Sequence, residues 1–199
     1  MSKDTREKIL ENALEMFANK GYEGTNIREL SDALGVSKGA MYRHYESKEQ
    51  LWDLVCDKVY AEYSKNMDQS GSIPEIPNST DELMQMSLSM MNYTMHDPNI
   101  IMGRKMLARE QYRDEKVAVL SDRYFLTNIE EIFKKVFKGM IEKKVLKDFD
   151  YEMMALEYSA TISALINQKD RFPSREKEIV ERGKAYINHF IKVFGNKDE

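Results

Sequence analysis

The chain of 199 residues is long enough for one domain or two small ones, and its 42% hydrophobic content is sufficient for a buried core. No apolar run approaches the roughly 18–20 residues that a membrane-spanning helix needs, so we expect a cytoplasmic protein that does not bind membranes. The formal net charge of −4 excludes a protein that coats nucleic acid through bulk positive charge. Any nucleic-acid binding therefore has to use a local patch.

Apolar residues recur at helical spacing along the whole chain, and no segment alternates as a strand would, so we predict an all-α fold. Gly21 and Gly35 are expected to end the first two helices, because glycine tolerates the backbone angles of a helix C-terminus. Residues 68–80 (DQSGSIPEIPNST) read as a linker. The predicted helices cover about 5–20, 25–34, 37–44, 47–67, 79–95, a stretch from Pro98, 122–145, 151–168 and 174–194.

Residues 25–51 read TNIRELSDALGVSKGAMYRHYESKEQL and have the parts of a helix-turn-helix. The first helix has an inward apolar face, and Gly35 supplies the unusual backbone angles of the turn. The second helix begins with a cap and small or polar residues, which lets its N-terminal end approach the floor of a major groove. These residues are Ser37, Lys38, Gly39 and Ala40.

The next residues of the same helix divide between two faces. Tyr42, Arg43 and His44 lie within reach of phosphates or base edges, whereas the spacing directs Met41 and Tyr45 to the interior. The pattern therefore predicts a helix that reads DNA.

This segment resembles the TetR (tetracycline repressor) family. The run LGVSKGAMYRHYESKEQL is similar, without insertion, to that family's G-V-S-x-G-x-x-Y-x-x-F-x-S-K-E-x-L signature, and an amphipathic helix ending FANKGYEGT precedes it. The likeness covers about residues 5–55, with mild departures at Ser31 and Tyr45, where the family usually has alanine and phenylalanine. The resemblance implies a helix-turn-helix DNA-binding domain at 1–50 and a helical effector-binding and dimerisation domain at 51–199.

The resemblance also implies which side chains contact DNA. Phosphate contacts are expected from Thr25, Tyr42 and Lys48, and base or near-base contacts from Arg28, Lys38, Gly39 and Arg43. Two of these have structural alternatives: Arg28 as a partner of Asp32 four residues on, and Tyr42 as a core aromatic. Lys48 lies at a helix start, where a cation is unfavourable unless an anion such as a DNA phosphate is near. Glycine at position 39 is costly inside a helix unless something approaches closely.

Seven methionines fall within residues 84–106. Methionine adapts to irregular shapes, so the cluster suits a pliable apolar ligand cavity, although an ordinary core explains it too. The family's effector pocket among the middle helices favours the cavity, and Glu110 and Glu157 would suit a cationic effector unless they are simply exposed or salt-bridged. The predicted lining is Met84, Met91, Met95, Met102, Met106, Tyr124, Phe125 and Tyr158.

A homodimer is predicted through the last two helices. Small residues permit close helix approach and aromatic residues provide anchors. The residues concerned are Ala160, Ser163, Ala164, Gly183, Tyr186, Phe190 and Phe194. The expected function is a repressor that binds palindromic double-stranded operator DNA as a dimer and is released by a small-molecule effector.

The two alternative functions are an enzyme and a DNA-binding protein that has no small-molecule effector. An enzyme fits poorly, because His44, His96 and His189 are far apart and no metal-binding or phosphate-loop spacing occurs, so we expect no catalytic residue, metal or cofactor. A DNA-binding protein of the same fold that responds to a protein partner, or to no ligand, stays open. Cys56 fits a buried structural thiol better than a redox sensor.

Overall fold

The computed structural model describes the backbone of residues 3–68, 75–113 and 115–196. A π-helical turn, Arg123–Thr127, joins two of the helices, and a 3₁₀ turn, Pro173–Arg175, precedes the last one. The α-helices within the described ranges are α1 (Lys3–Gly24), α2 (Ile27–Ala33), α3 (Lys38–Met41), α4 (Lys48–Asp68), α5 (Thr80–His96), α6 (Pro98–Glu110), α7 (Glu115–Asp122), α8 (Asn128–Glu142), α9 (Tyr151–Arg171) and α10 (Glu176–Phe194).

The all-α prediction is confirmed. The strand-like pairing in the described part of the chain is an isolated bridge between Leu146 and Gly195. Among the described helices, none combines the length and the apolar character that crossing a bilayer requires. The central residues of the predicted linker, 69–74, lie outside the described residues.

The regular part of the first helix ends at a glycine whose backbone angles are not helical. Gly21 has φ 76° and ψ 174°, so the regular part of α1 stops there as predicted and one more turn follows to Gly24. A Cβ at Gly21 would lie 2.7 Å from Oε1 of Glu110, which shows how closely α6 approaches this bend. Gly35 also has a positive φ, 63°, and ends the segment that follows α2.

Several helix boundaries differ from prediction. The second helix of the helix-turn-helix, α3, which is the predicted recognition helix, ends at Met41 instead of His44, and turns continue the chain to His44. The helix predicted over 122–145 begins earlier, because α7 runs into α8 through the π-helical turn. No proline or glycine marks this change of helical pitch, and therefore the sequence carried no signal for it.

The described residues group into two compact units, within Met1–Lys65 plus Pro98–Ser121 and within Asn66–Asp97 plus Asp122–Glu199. We call them the first and second unit. In the first, α6 packs against α1 and the rings of Phe17 and Trp52 meet edge to face at 5.0 Å. Packing thus joins α6 and α7 to the helix-turn-helix. The predicted division at residue 50 separates a DNA-binding part from an effector-binding part by function and not by packing, and it stays a prediction.

The second unit is built around α9, which packs against α5, α8 and α10. Its core contains an aromatic cluster in which Tyr158 contacts Phe133, Phe137 and Phe190 at ring-centre distances of 4.5, 5.3 and 4.8 Å. The break predicted at Pro98 is confirmed, since α5 ends at His96 and α6 begins at Pro98.

The helix α5 is buried on one stripe, although its sequence is apolar on nearly all sides. The stripe is Leu83, Ser87, Met91 and Met95. Tyr93 on the opposite side is exposed, and methionines 84, 86 and 90 are half-buried. The half-buried methionines still pack against the core of the second unit.

Several residues predicted as dimer contacts lie inside the second unit. Phe190 stacks on Phe137 at 4.9 Å, Ser163 is buried, and a Cβ at Gly183 would lie 2.8 Å from the sulfur of Met91. These three residues hold the monomer together, which corrects the predicted roles. The exposed face of α9 instead carries the apolar residues Met153, Leu156, Ala160 and Ala164.

Candidate nucleic-acid interface

Short-range hydrogen bonds fix the helix-turn-helix. Asn26 caps α2 by accepting the N–H of Arg28 at 2.8 Å, and Ser37 caps α3 by accepting the N–H of Ala40 at 3.1 Å. Between the helices, the N–H of Val36 donates to the carbonyl of Ser31 at 3.0 Å. The turn thereby keeps its backbone groups paired and sets the direction of α3.

The inward face of the recognition helix is as predicted. Ala40, Met41 and Tyr45 are buried, which confirms the inward placement of Met41 and Tyr45. The Tyr45 hydroxyl donates to the carbonyl of Arg6 at 3.0 Å, and burial raises the pKa of this phenol. Ala40, expected among the DNA-contacting residues, faces the core with its methyl group.

The outward face carries the remaining predicted contacts of this helix. Lys38, Gly39, Tyr42 and Arg43 are exposed, and His44 is half-buried. Tyr42 is 44% exposed, which argues against its alternative role as a core aromatic. A Cβ at Gly39 would meet no atom within 4 Å, so nothing inside the chain requires glycine at this position.

Thr25 and Arg28 precede the recognition helix and differ in availability. Thr25 is 2% exposed, and its hydroxyl donates to the carbonyl of Gly21 at 2.7 Å. Its side chain therefore supports the bend after α1 and is not presented to DNA. Arg28 is exposed, and no ion pair joins it to Asp32 in the described part of the chain.

Lys48 belongs to a cluster that sequence reasoning missed. Its Nζ lies 4.3 Å from the centre of the Tyr22 ring, and the guanidinium carbon of Arg113 lies 3.7 Å from the same centre. The Tyr22 hydroxyl donates to Glu49 at 2.5 Å, and Arg113 donates to both carboxylate oxygens of Glu49 at 2.8 Å. Burial, followed by the bond to Glu49, raises the pKa of Tyr22 to about 12.

Further contacts tie the segment around Arg113 to the DNA-binding helices. Glu110 accepts the backbone N–H of Tyr22 at 3.0 Å, and Lys116 pairs with Asp53 of α4 at 2.7 Å. Arg109 donates to the carbonyl of Asn19. Residues that lie 60 to 90 positions apart leave no local pattern in the sequence, so these contacts could not be predicted. Glu110 therefore has a structural partner in α1, which weakens its alternative role in binding a cationic effector.

The predicted effector residues are divided between the two units. Met91, Met95, Tyr124 and Tyr158 are buried in the second unit, with Met84 and Phe125 half-buried there. Met102 and Met106 belong to the first unit. In the core of the second unit, the Tyr158 hydroxyl donates to Ser87 at 2.6 Å, and burial raises the pKa of this phenol.

Cys56 lies in the buried face of α4. Burial raises the pKa of its thiol to about 12, so almost no reactive thiolate exists near neutral pH. A structural thiol fits this environment and a redox sensor does not. Among the described residues, no group of three metal-binding side chains is present.

These features define the class of the protein: an all-α chain with a capped helix-turn-helix near its N-terminus, followed by a helical unit. Comparison with known proteins agrees with this class. The model of the family "Bacterial regulatory proteins, tetR family" matches residues 9–55, the helix-turn-helix region. Over residues 9–55 the chain is therefore similar to the helix-turn-helix region of this family.

Relatives and solved structures of the same kind are similar to the chain. It is 24% identical over 143 residues to the probable HTH-type transcriptional regulator YttP of Bacillus subtilis, covering 72% of this chain and 66% of that one. It is 34% identical over 70 residues to the HTH-type transcriptional repressor AcnR of Corynebacterium efficiens, covering 35% and 37%. The matches therefore span less than two thirds of these relatives' own length.

Likeness of fold extends over the whole chain. A crystal structure of a TetR-family regulator from Mesorhizobium loti covers 98% of this chain and 100% of its own, with a TM-score of 0.74 and 17% identity. A TetR regulator from Haloarcula marismortui gives the same TM-score, 0.74, and the same coverages, 98% and 100%, at 14% identity. At these identities the likeness concerns the fold alone.

Proposed function

We propose that the protein is a cytoplasmic transcription regulator that binds operator DNA as a homodimer and represses transcription until a small-molecule effector releases it. The observation that carries the proposal is the outward face of α3. Lys38 and Gly39 of α3 and Tyr42 and Arg43 of the turns that follow it are exposed together, while Met41 anchors the buried side of this segment. Exposed basic, aromatic and glycine residues on a short anchored helix suit entry into a major groove.

Binding to DNA fragments that flank the protein's own gene tests this function. An inverted repeat with half-sites about one helical turn apart, roughly 34–36 Å, is expected, because each subunit presents one recognition helix. Lys38→Ala and Arg43→Ala are expected to weaken binding and relax sequence preference, whereas Tyr42→Ala weakens binding to all sequences alike. Lys184→Ala, in the second unit, is the control for loss of one exposed charge. If the recognition-helix variants bind as the control does, α3 does not read DNA.

The proposed effector site lies in the core of the second unit. The hydrogen bond between Tyr158 and Ser87 sits among apolar side chains that include the buried methionines Met91 and Met95. A small apolar molecule with one hydroxyl or carbonyl group fits such surroundings, because it can replace the Tyr158–Ser87 bond and keep both groups paired.

A thermal-shift screen of apolar compounds with and without a hydroxyl or carbonyl group tests this site. Binding is expected to raise the melting temperature, and Tyr158→Phe is expected to reduce the shift for the polar compounds only. If no compound shifts the wild-type chain, the regulator responds to a protein partner or to no ligand. Turnover of a bound compound would point to an enzyme.

A further inference from the structure

Arg113 lies between α6 and α7, yet its contacts are with α1 and α4 at the DNA-binding end of the first unit. Its guanidinium carbon is 3.7 Å from the ring centre of Tyr22 and 5.0 Å from that of Trp52. One of its terminal nitrogens donates to both carboxylate oxygens of Glu49 at 2.8 Å. The Arg113 side chain is 21% exposed and that of Glu49 is 54% exposed, so water screens this ion pair in part.

Glu49 creates an electrostatic conflict that this contact resolves. A carboxylate in the first turn of α4 stabilises the helix, because it faces the unpaired N–H groups of the helix start. The same carboxylate follows Lys48, the expected phosphate contact, and a negative charge there repels DNA. Hydrogen bonds from Tyr22 and then Arg113 lower the pKa of Glu49, so the group stays ionised and the repulsion persists unless a cation compensates it.

The Tyr22 ring contacts both Arg113, the cation that compensates Glu49, and Lys48, the cation that is expected to bind phosphate. Its hydroxyl donates to Glu49, its ring lies 4.3 Å from Nζ of Lys48, and Glu110 accepts its backbone N–H. The ring thus helps to hold the Lys48 ammonium, and Arg113 packs on that ring. Without Arg113, the carboxylate of Glu49 is left with an uncompensated charge beside Lys48.

We propose that Arg113 is a positioning residue for DNA binding: it neutralises Glu49 and fixes the Tyr22 ring, so that the Lys48 ammonium stays available to a phosphate. The inference rests on the proposed DNA-binding function and assigns a role in it to a residue about 60 positions beyond the helix-turn-helix. Arg113 acts through its neighbours, and direct contact with DNA is not required.

The test compares four variants of the full chain: Arg113→Gln, Lys116→Gln, Glu49→Gln and the double variant Glu49→Gln/Arg113→Gln. Lys116→Gln is the matched control, because it removes one positive charge from the same segment, where Lys116 pairs with Asp53 at 2.7 Å. The probe is a fluorescein-labelled 30-base-pair duplex of random sequence, titrated by anisotropy over a series of salt concentrations. Thermal unfolding of each variant accompanies the titrations.

Arg113→Gln is expected to weaken binding roughly three- to tenfold, about what one partly buried charge pair per subunit contributes. Loss of one phosphate contact per subunit lowers the slope of log affinity against log salt by about 0.9 per contact. Lys116→Gln is expected to stay within about twofold of wild type, since Lys116 pairs with Asp53 and acts on Glu49 more weakly than Arg113 does. The double variant is expected to return to the affinity of Glu49→Gln alone, because neutral glutamine no longer competes for Lys48.

The outcomes distinguish a failure of the positioning role from a failure of the proposed DNA-binding function. Equal effects of Arg113→Gln and Lys116→Gln, or no rescue by Glu49→Gln, would overturn the positioning role while DNA binding stands. A wild-type chain that binds no duplex at low salt would overturn the proposed function itself. A purely structural role of Arg113 predicts lower thermal stability that Glu49→Gln does not correct, together with an unchanged salt slope.

Discussion

Gly21 and Gly39 differ in their backbone angles and in the space around them. Gly21 has backbone angles that other residues adopt at a cost of about 1–3 kcal/mol, and Glu110 occupies the space where a side chain would start. Gly39 has open space around it and lies in α3, where glycine weakens a helix. The fold requires the first glycine, whereas nothing within the chain requires the second, and we expect it to permit the close approach of DNA.

Alanine at each position separates these roles. Gly21→Ala is expected to lower the free energy of unfolding by about 1–3 kcal/mol. Gly39→Ala is expected to raise it by up to about 1 kcal/mol, because alanine favours a helix, and to weaken DNA binding through its added methyl group. Urea unfolding followed by circular dichroism and duplex titration measure the two effects. Unchanged DNA affinity in Gly39→Ala would remove the close-approach argument.

Cys56 makes stability depend on alkaline pH. Burial holds the pKa of its thiol at about 12 in the folded chain, against about 8.5 in an unfolded one. The unfolded chain therefore loses this proton first, so the contribution of the thiol is complete below about pH 8.5 and is lost as pH rises toward 12. Wild type is expected to lose up to about 1.4 kcal/mol per pH unit relative to Cys56→Ala in this interval. Urea unfolding at pH 8, 9 and 10 checks this, and parallel profiles for the two proteins would contradict it.

At the scale of helices, the sequence was most informative where capping residues mark the ends. At the start of α4, Ser47 and Gln50 have the spacing of a capping box, and Ser47 accepts the N–H of Gln50 at 3.0 Å, but the Gln50 side chain accepts from the N–H of Glu46 instead of that of Ser47. The beginning of α8 was missed, since the π-helical turn before it has no proline or glycine. The cluster around Arg113 was missed for another reason: it joins residues that are distant in sequence.

The faces of α9 and α10 are where residue type alone misled. Small and aromatic residues suggested close contact with a second subunit, but Ser163 of α9 and Gly183 and Phe190 of α10 are buried in the monomer core. Which face of a helix is buried depends on the neighbouring helices, and two amphipathic faces on one helix cannot be told apart from spacing. The exposed stripe on α9 is therefore the face that we expect a partner subunit to cover.

Leu156 tests this face. It is 37% exposed, and Leu156→Glu is expected to convert the dimer to monomer at micromolar concentration, because the charge would be buried against a second α9. Val119→Glu is the control, as Val119 is 48% exposed on α7 and outside the proposed interface. Analytical ultracentrifugation separates the two states. A dimer that survives Leu156→Glu would place the interface elsewhere.

At the scale of the whole molecule, effector and DNA binding are expected to oppose each other through a coupling free energy. Release of DNA requires that the effector bind the DNA-incompetent arrangement more tightly, and a coupling of about 1–3 kcal/mol corresponds to a roughly 5- to 150-fold change in affinity. Linkage is reciprocal, so operator DNA must weaken effector binding by the same factor. Calorimetry with a compound from the thermal-shift screen, with and without operator duplex, measures that factor.

Met91→Trp is expected to abolish effector binding, because Met91 already fills the space beside Gly183, while Met102→Trp in the first unit leaves it unchanged. Equal effector affinities in both DNA states would refute the coupling, and loss of binding in Met102→Trp alone would move the site out of the second unit.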